Sequence, residues 1–127
     1  MSRRIIMAAS ALFMALLGIA ATFAPDELLV RLGTTATPAL ALAIQLLGAL
    51  YLGFAILNWT AQQSLIGGIY NRPVVIGNLL HFLAGALSLL KGGAGTPLLA
   101  LAVPYALFAA AFAWVMFTSP VARPDTA

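Results

Sequence analysis

The imidazole of His81 is the one ionisable side chain inside a long apolar stretch of this sequence. Asn78 lies three positions before it, and Asn58 with Trp59 closes the preceding apolar stretch. On antiparallel helices these four side chains could gather in the cytoplasmic half of a bundle. An imidazole beside two amides and an indole could hold the polar end of a lipophilic molecule or transfer a proton. We therefore predict a ligand site formed by Asn58, Trp59, Asn78 and His81.

Small residues surround this histidine on its own helix face. Gly77 and Gly85 lie at i−4 and i+4 from His81, with Ser88 close by. Small side chains let a neighbouring helix or a ligand approach the backbone. We predict a packing seam of Gly48, Gly77, Gly85 and Ser88 that points into protein. A stripe on the preceding helix is predicted to face it and consists of Gln45, Gly48, Leu52, Ala55 and Trp59.

Each of these residues also has a purely structural interpretation. His81 could donate a hydrogen bond to another helix, an interaction worth about 0.6 kcal/mol on average in membrane proteins. The asparagines could join helices, the glycines could serve close packing, and Trp59 could anchor the chain at the membrane interface. Both interpretations stay open on the sequence alone.

Several kinds of chemistry are excluded or disfavoured by composition. The chain has no cysteine, so it holds no disulfide, thiolate metal site or thiol nucleophile of its own. A metal site needs three or four convergent ligands, whereas the apolar stretches contain one histidine and no carboxylate. Two axial histidines for a haem would require a second copy of the chain. Because nothing positions a nucleophile, we do not predict an enzyme, and no cofactor is specified.

The elements that carry these residues are four uncharged stretches, 5–24, 39–59, 73–90 and 97–117. Each approaches the roughly 20 residues that a helix needs to cross a bilayer. The chain is 63% hydrophobic and 7% charged, far below the roughly 25% charge of a soluble domain. We predict an all-α integral membrane protein, with residues 1–127 forming one transmembrane domain as an up-down-up-down four-helix bundle.

The first stretch could instead be a signal peptide, because two arginines precede it and small residues lie at its C-terminal end. Its length exceeds the usual 7–15 residues or so of a signal-peptide core, which favours a retained helix. Residues 25–33 follow, and their proline, acidic pair and final glycine predict a short interfacial helix. Its apolar face is predicted to lie on the membrane boundary and consists of Leu28, Leu29 and Leu32.

The starts of the other helices carry capping signals. Thr37 and Thr96 each precede a proline, and their hydroxyls are predicted to accept a hydrogen bond from a free helix N–H. Asn71 is predicted to begin the third span in a similar way. Pro104 lies inside the fourth span and is predicted to bend it.

The net charge of +3 is small and scattered, which does not indicate a nucleic-acid partner. Basic residues are more frequent at the end of the bundle that holds both termini, so the positive-inside rule places both termini in the cytoplasm. The two sets compared are Arg3, Arg4, Arg72 and Arg123 against Arg31 and Lys91.

The chain resembles the small four-helix bacterial membrane proteins grouped around DoxX. The resemblance rests on 23–29 after the first helix, 46–53 with Asn58-Trp59 in the second, and 77–81 in the third. It implies a bundle in the bacterial inner membrane and transfers no catalytic residue.

Two functions are compatible with these features. One is an accessory or structural subunit that works through helix contacts with itself or with a larger membrane complex, as the small-residue seam suggests. The alternative is a binder or carrier of a small lipophilic ligand, such as a quinone, a lipid or a haem, at the polar cluster around His81.

Overall fold

The computed structural model describes residues 2–120, so Arg123 of the charge comparison lies outside the described residues. Over that range the regular secondary structure is helical, and one isolated β-bridge joins Gly67 and Tyr70 in a loop. The helices are α1 (Arg3–Phe23), α2 (Pro25–Arg31), α3 (Pro38–Ala61), α4 (Arg72–Gly92), a 3₁₀ helix (Pro97–Leu101) and α5 (Ala102–Phe117).

Four segments are long and apolar enough to cross a membrane: α1, α3, α4 and the continuous Pro97–Phe117 segment. The predicted all-α, four-span membrane bundle is therefore confirmed. The closest backbone packing joins α1 to α3 and α4 to α5, and the two pairs approach each other less closely. The short helix α2 lies against α1 and α3. We call the two ends of the bundle the Arg3 end and the α2 end.

The helix starts agree with the sequence only in part. Thr37 accepts a hydrogen bond from the Leu40 amide at 3.2 Å, as predicted. The prediction for Thr96 is wrong, because its hydroxyl instead donates to the Gly93 carbonyl at 2.7 Å. The fourth span begins there as a 3₁₀ helix. Pro104, which lacks the N–H for a regular α-helical bond, lies just beyond that tighter turn.

Asn71 precedes α4 but its side chain does not cap the helix. The residue adopts a left-handed conformation with φ of 51°, which asparagine tolerates better than most residues. Its Nδ2 donates to the Leu65 carbonyl at 2.7 Å. The side chain therefore stabilises the 62–71 loop, and the capping expectation for Asn71 is wrong.

Close packing between α1 and α3 depends on glycine. A Cβ on Gly48 would lie 2.9 Å from the Thr22 backbone nitrogen, so this position has no room for a side chain. The Gln45 amide reaches the Thr22 carbonyl at 3.4 Å. A Cβ on Gly18 would touch Leu52 in the same way. The α3 stripe therefore packs on α1, and the prediction that it faces α4 is wrong at these positions.

The Arg3 end is closed by a cluster of backbone and side-chain contacts. The Arg3 guanidinium donates to the Thr118 hydroxyl at 2.6 Å and the Ser119 carbonyl at 3.2 Å, and it lies over the Trp114 ring at 4.7 Å. A cation at the C-terminal end of a helix is favourable because the last carbonyls there are unpaired. Gly67 is buried beneath this contact.

Candidate functional site

A cavity of about 650 Å³ lies between the two helix pairs, toward the α2 end of the bundle. This volume falls within the range of pockets that enclose a drug-sized ligand. Every spanning helix contributes to its wall, and α2 contributes two leucines. The lining consists of Leu17, Ala21, Leu28, Leu32, Ile44, Leu47, Tyr51, Leu80, His81, Ala84, Gly85, Ser88, Leu89, Pro97, Leu98, Leu101 and Tyr105.

The cavity exists because packing changes along the bundle axis. Near the Arg3 end the helix pairs are joined by the buried amides of Asn58 and Asn78, and next along the axis by aromatic rings that pack on Phe13 of α1. Farther along, α4 presents Ala84, Gly85 and Ser88 to the same space. Ala84 and Ser88 have small side chains, so part of the space between the two helix pairs stays unfilled there.

The α2 helix faces this space. Leu29 is 4% exposed and belongs to the protein interior, while Leu28 and Leu32 line the cavity. The short helix is observed where it was predicted, and Gly33 follows it with φ of 78°. Its apolar face packs on protein, because α2 folds against α1 and α3. That this face also lies at the membrane boundary stays a prediction.

The polar groups of the cavity are concentrated at its deep end. The hydroxyls of Tyr51 on α3 and Tyr105 on α5 are hydrogen-bonded to each other across the bundle at 2.5 Å. The Tyr105 ring lies over Gly85, where a Cβ would overlap it. Glycine at this position therefore lets the phenol reach Tyr51, which gives one member of the predicted seam a specific role.

His81 lies beside this tyrosine pair and is surrounded by aromatic rings. Its ring centroid is 5.5 Å from Tyr51, 5.7 Å from Phe54, 5.0 Å from Phe82 and 5.4 Å from Tyr105. Phe54 is stacked on the imidazole and two other rings meet it edge-on. The Nε2 atom is buried and has no hydrogen-bond partner among the described residues.

The two predicted asparagines meet, but outside the cavity. Asn58 and Asn78 exchange two amide hydrogen bonds of 2.7 Å each, and both side chains are fully buried. Asn58 also donates to the Ser10 hydroxyl at 3.0 Å, and Asn78 to the Val74 carbonyl at 2.9 Å. This amide cluster joins α1, α3 and α4 on the Arg3 side of the aromatic layer, and neither asparagine lines the cavity.

The remaining predicted residues take no part in the hydrogen bonds of the amide cluster. Trp59 is 51% exposed and does not line the cavity. Gly77 faces the Phe54 ring, which a Cβ there would meet at 3.7 Å, an ordinary contact. Gly48 contacts α1, and Ser88 lines the cavity. Of the four predicted ligand residues, His81 alone borders this space, and a ligand role for the set stays a prediction.

Sequence reasoning missed Tyr51, Tyr105 and Ser10. Tyr51 lies two helical turns before Asn58 and so shares its face, a spacing that was available in the sequence. Tyr105 follows Pro104, where the prediction attended to the helix bend. Ser10 gave no signal, because a lone serine in an apolar helix commonly bonds its own backbone, and this one does donate to the Met7 carbonyl at 2.9 Å.

The described residues contain no group of three or more histidine, cysteine, aspartate or glutamate side chains that could hold a metal ion. Haem fits poorly as well, since the buried Nε2 of His81 lies among four rings and does not face open space. Comparison of the chain with protein-family models, curated proteins and solved structures found no match. The geometry of the cavity therefore carries the functional argument for this small multi-pass membrane protein.

Proposed function

We propose that the protein binds or carries a small, uncharged lipophilic molecule in the cavity between its helix pairs. The observation that carries this proposal is a space of about 650 Å³ with apolar walls and polar groups gathered at its deep end. Ligand sites commonly combine a mostly apolar lining with a few placed polar atoms that orient the ligand. Of the ligands considered from the sequence, haem is disfavoured by the surroundings of His81, which leaves quinone-like and lipid-like molecules.

The position of the cavity supports the same proposal. Its deep end lies at His81, and its far end lies at Leu89 on α4, about 12 Å away along the helix. Ala84 and Ser88 line the cavity and are exposed. We infer that a molecule dissolved in the membrane reaches this space from the side, without crossing the polar interface. The buried amides beyond His81 close the opposite side, so the site is a blind pocket and not a pore.

Filling the cavity is expected to displace the ligand. Ala84→Phe places a ring in the cavity from α4, where it competes with the ligand for the same space. We expect apolar molecules that co-purify with the protein to fall about tenfold, which corresponds to about 1.4 kcal/mol. Extraction of purified protein followed by mass spectrometry measures the change.

Ala110→Phe is the matched control, because Ala110 is exposed on α5 and does not line the cavity. It makes the same chemical change on a spanning helix and should leave the bound molecules unchanged. Equal ligand content in Ala84→Phe and the wild type would contradict the proposed function. Equal loss in both variants would also contradict it, because displacement would then not depend on the cavity.

A second candidate function is the accessory or structural subunit, as a homo-oligomer or within a larger complex. It is supported by the outward face of α3, where Ala49 and Gly53 are exposed one turn apart. No atom of the described part of the chain lies within 4 Å of a Cβ built on Gly53. Small residues at this spacing let two membrane helices approach closely.

Because the chain lacks cysteine, a single introduced thiol reports this contact directly. We expect oxidation of Gly53→Cys in native membranes to give a disulfide-linked dimer on a non-reducing gel. Leu107→Cys, on the exposed face of α5 with 66% exposure, should stay monomeric. Dimer from both variants would indicate random collision, and dimer from neither would exclude α3 as the contact.

We also propose a bacterial cytoplasmic membrane as the location, with both termini on the cytoplasmic side, and DoxX-like proteins as the kin of this chain. The orientation is supported by Arg3, Arg4 and Arg72 at the Arg3 end, against Arg31 and Lys91 at the α2 end. The kinship rests on the sequence patterns alone.

A further inference from the structure

The polar surface of the cavity is small, uncharged and located at one end. Among the described residues that line it, the tyrosine pair and His81 supply the polar atoms of the deep end, and none carries a carboxylate, ammonium or guanidinium group. Ser88 is the other polar lining residue and lies two helical turns from His81 toward the α2 end, about 10 Å away. An ionic head group would therefore enter the cavity without a counter-charge, which is costly in a low-dielectric interior.

One hydroxyl proton of the tyrosine pair is free to donate a hydrogen bond to a ligand. Tyr51 and Tyr105 share one hydrogen bond, in which one hydroxyl donates and the other accepts. The accepting hydroxyl keeps its own proton, and that proton has no protein acceptor among the residues described. A buried donor without a partner costs free energy, so the site favours any group that brings an acceptor oxygen to it.

We propose that the Tyr51–Tyr105 pair recognises the head of a neutral amphiphile through a hydrogen bond to a carbonyl or comparable acceptor oxygen. The hydrocarbon part extends toward the α2 end, past Leu47, Leu89 and Leu101. This inference rests on the proposed ligand-binding function and adds the chemical class of the ligand. It separates neutral carbonyl lipids from fatty-acid anions, phospholipids and plain hydrocarbons.

The test compares probes of one chain length that differ only at the head: a long-chain methyl ketone, the corresponding hydrocarbon and the corresponding carboxylate. Each is titrated against wild-type protein in lipid nanodiscs, and occupancy is measured by native mass spectrometry. We expect the ketone to bind about fivefold more tightly than the hydrocarbon, the effect of one neutral hydrogen bond, and the carboxylate to bind least.

The discriminating variant is Tyr51→Phe combined with Tyr105→Phe. Either tyrosine alone could still donate to the ketone, because each single change releases the other hydroxyl from the pair. The double variant keeps both rings, and with them the packing around His81 and Gly85, but removes both donors. We expect it to bind ketone and hydrocarbon equally. Tyr70→Phe removes a hydroxyl from the 62–71 loop, outside the cavity lining, and should keep the wild-type preference.

A second measurement serves if the double variant fails to fold. The carbonyl infrared band of an isotope-labelled ketone should shift to lower frequency when it is bound to the wild type, and this shift should disappear when Ala84→Phe blocks the cavity. An unshifted band overturns the inference.

The outcomes separate the two proposals. If the wild type binds ketone and hydrocarbon equally and Ala84→Phe removes both, the ligand site stands and the head-group assignment is wrong. A preference for the carboxylate, or a ketone preference that survives in the double variant, also overturns the assignment. If neither probe binds, or Ala84→Phe changes neither, the proposed function fails and this inference fails with it.

Discussion

Replacing Gly67 with alanine is expected to lower the free energy of unfolding by about 3 kcal/mol. Gly67 has φ of 126°, a backbone conformation that an L residue with a side chain rarely adopts. An added Cβ would also lie 2.8 Å from the Val115 and Thr118 carbonyl oxygens and from the Arg3 guanidinium. The strain and two of these three close contacts involve backbone atoms, which cannot shift without disturbing the loop or the end of α5.

The consequences would extend beyond the loop. The adjacent Gly68 amide donates to the Val115 carbonyl at 3.3 Å, so the 62–71 loop supplies a donor to the end of α5. Arg3 reaches the same helix end from the start of α1. Moving the loop by a few tenths of an ångström would weaken the contact among three segments that are far apart in sequence.

Gly33→Ala provides the control for this variant. Gly33 also has a positive φ, of 78°, but no atom of residues 2–120 lies within 4 Å of its added Cβ. Alanine there should cost only the conformational penalty, about 1–2 kcal/mol. Reversible unfolding of both variants in mixed micelles, followed by circular dichroism, measures the difference. Equal losses would show that the contacts of the loop with α5 contribute nothing.

The four membrane spans could be predicted from the sequence, because the length of an apolar stretch can be read directly along the chain. A helix must cross about 30 Å of hydrocarbon, and the four uncharged stretches match that length. The Thr37 cap and the position of α2 were readable for the same reason, since caps and turns depend on residues next to each other in the chain.

The rotation of each helix about its own axis was harder to predict from the sequence. α3 is apolar around most of its circumference, so its sequence marks the face that meets α1 only weakly. Gly48 was therefore assigned to the wrong neighbouring helix. The side chains of Asn58 and Asn78 do meet, because a buried amide is costly unless it is hydrogen-bonded and the neighbouring apolar helix offers one polar partner. The cavity could not be predicted from the sequence. It is the space that side chains from five segments leave unfilled between them, and no local sequence pattern encodes that space.

Replacing Asn78 with leucine is expected to lower the free energy of unfolding by about 2–3 kcal/mol. The change removes both 2.7 Å hydrogen bonds with Asn58. An average hydrogen bond between membrane helices contributes about 0.6 kcal/mol. A larger share of the lost stability comes from the Asn58 side chain that remains buried without its partner. Asn58 keeps Ser10 as acceptor for its Nδ2, but its Oδ1 loses the one donor that the described residues offer it. A stranded buried acceptor costs about 1–3 kcal/mol.

The double variant Asn58→Leu/Asn78→Leu distinguishes this explanation from simple loss of contacts. With both amides gone, the polar group left in the layer is Ser10, whose hydroxyl still donates to the Met7 carbonyl at 2.9 Å. No acceptor is stranded, so the double variant should lose less than the sum of the two single variants, and no more than Asn78→Leu alone.

Gln45→Leu is the matched control, since the Gln45 side chain is exposed and makes one long 3.4 Å bond. It should change stability by less than about 0.6 kcal/mol. Strictly additive single and double losses would mean that the amides act independently. The layer would then be ordinary packing. A strong coupling would instead identify the amide cluster as the joint that holds α3 to α4 in register, below a cavity that the same two helices leave open.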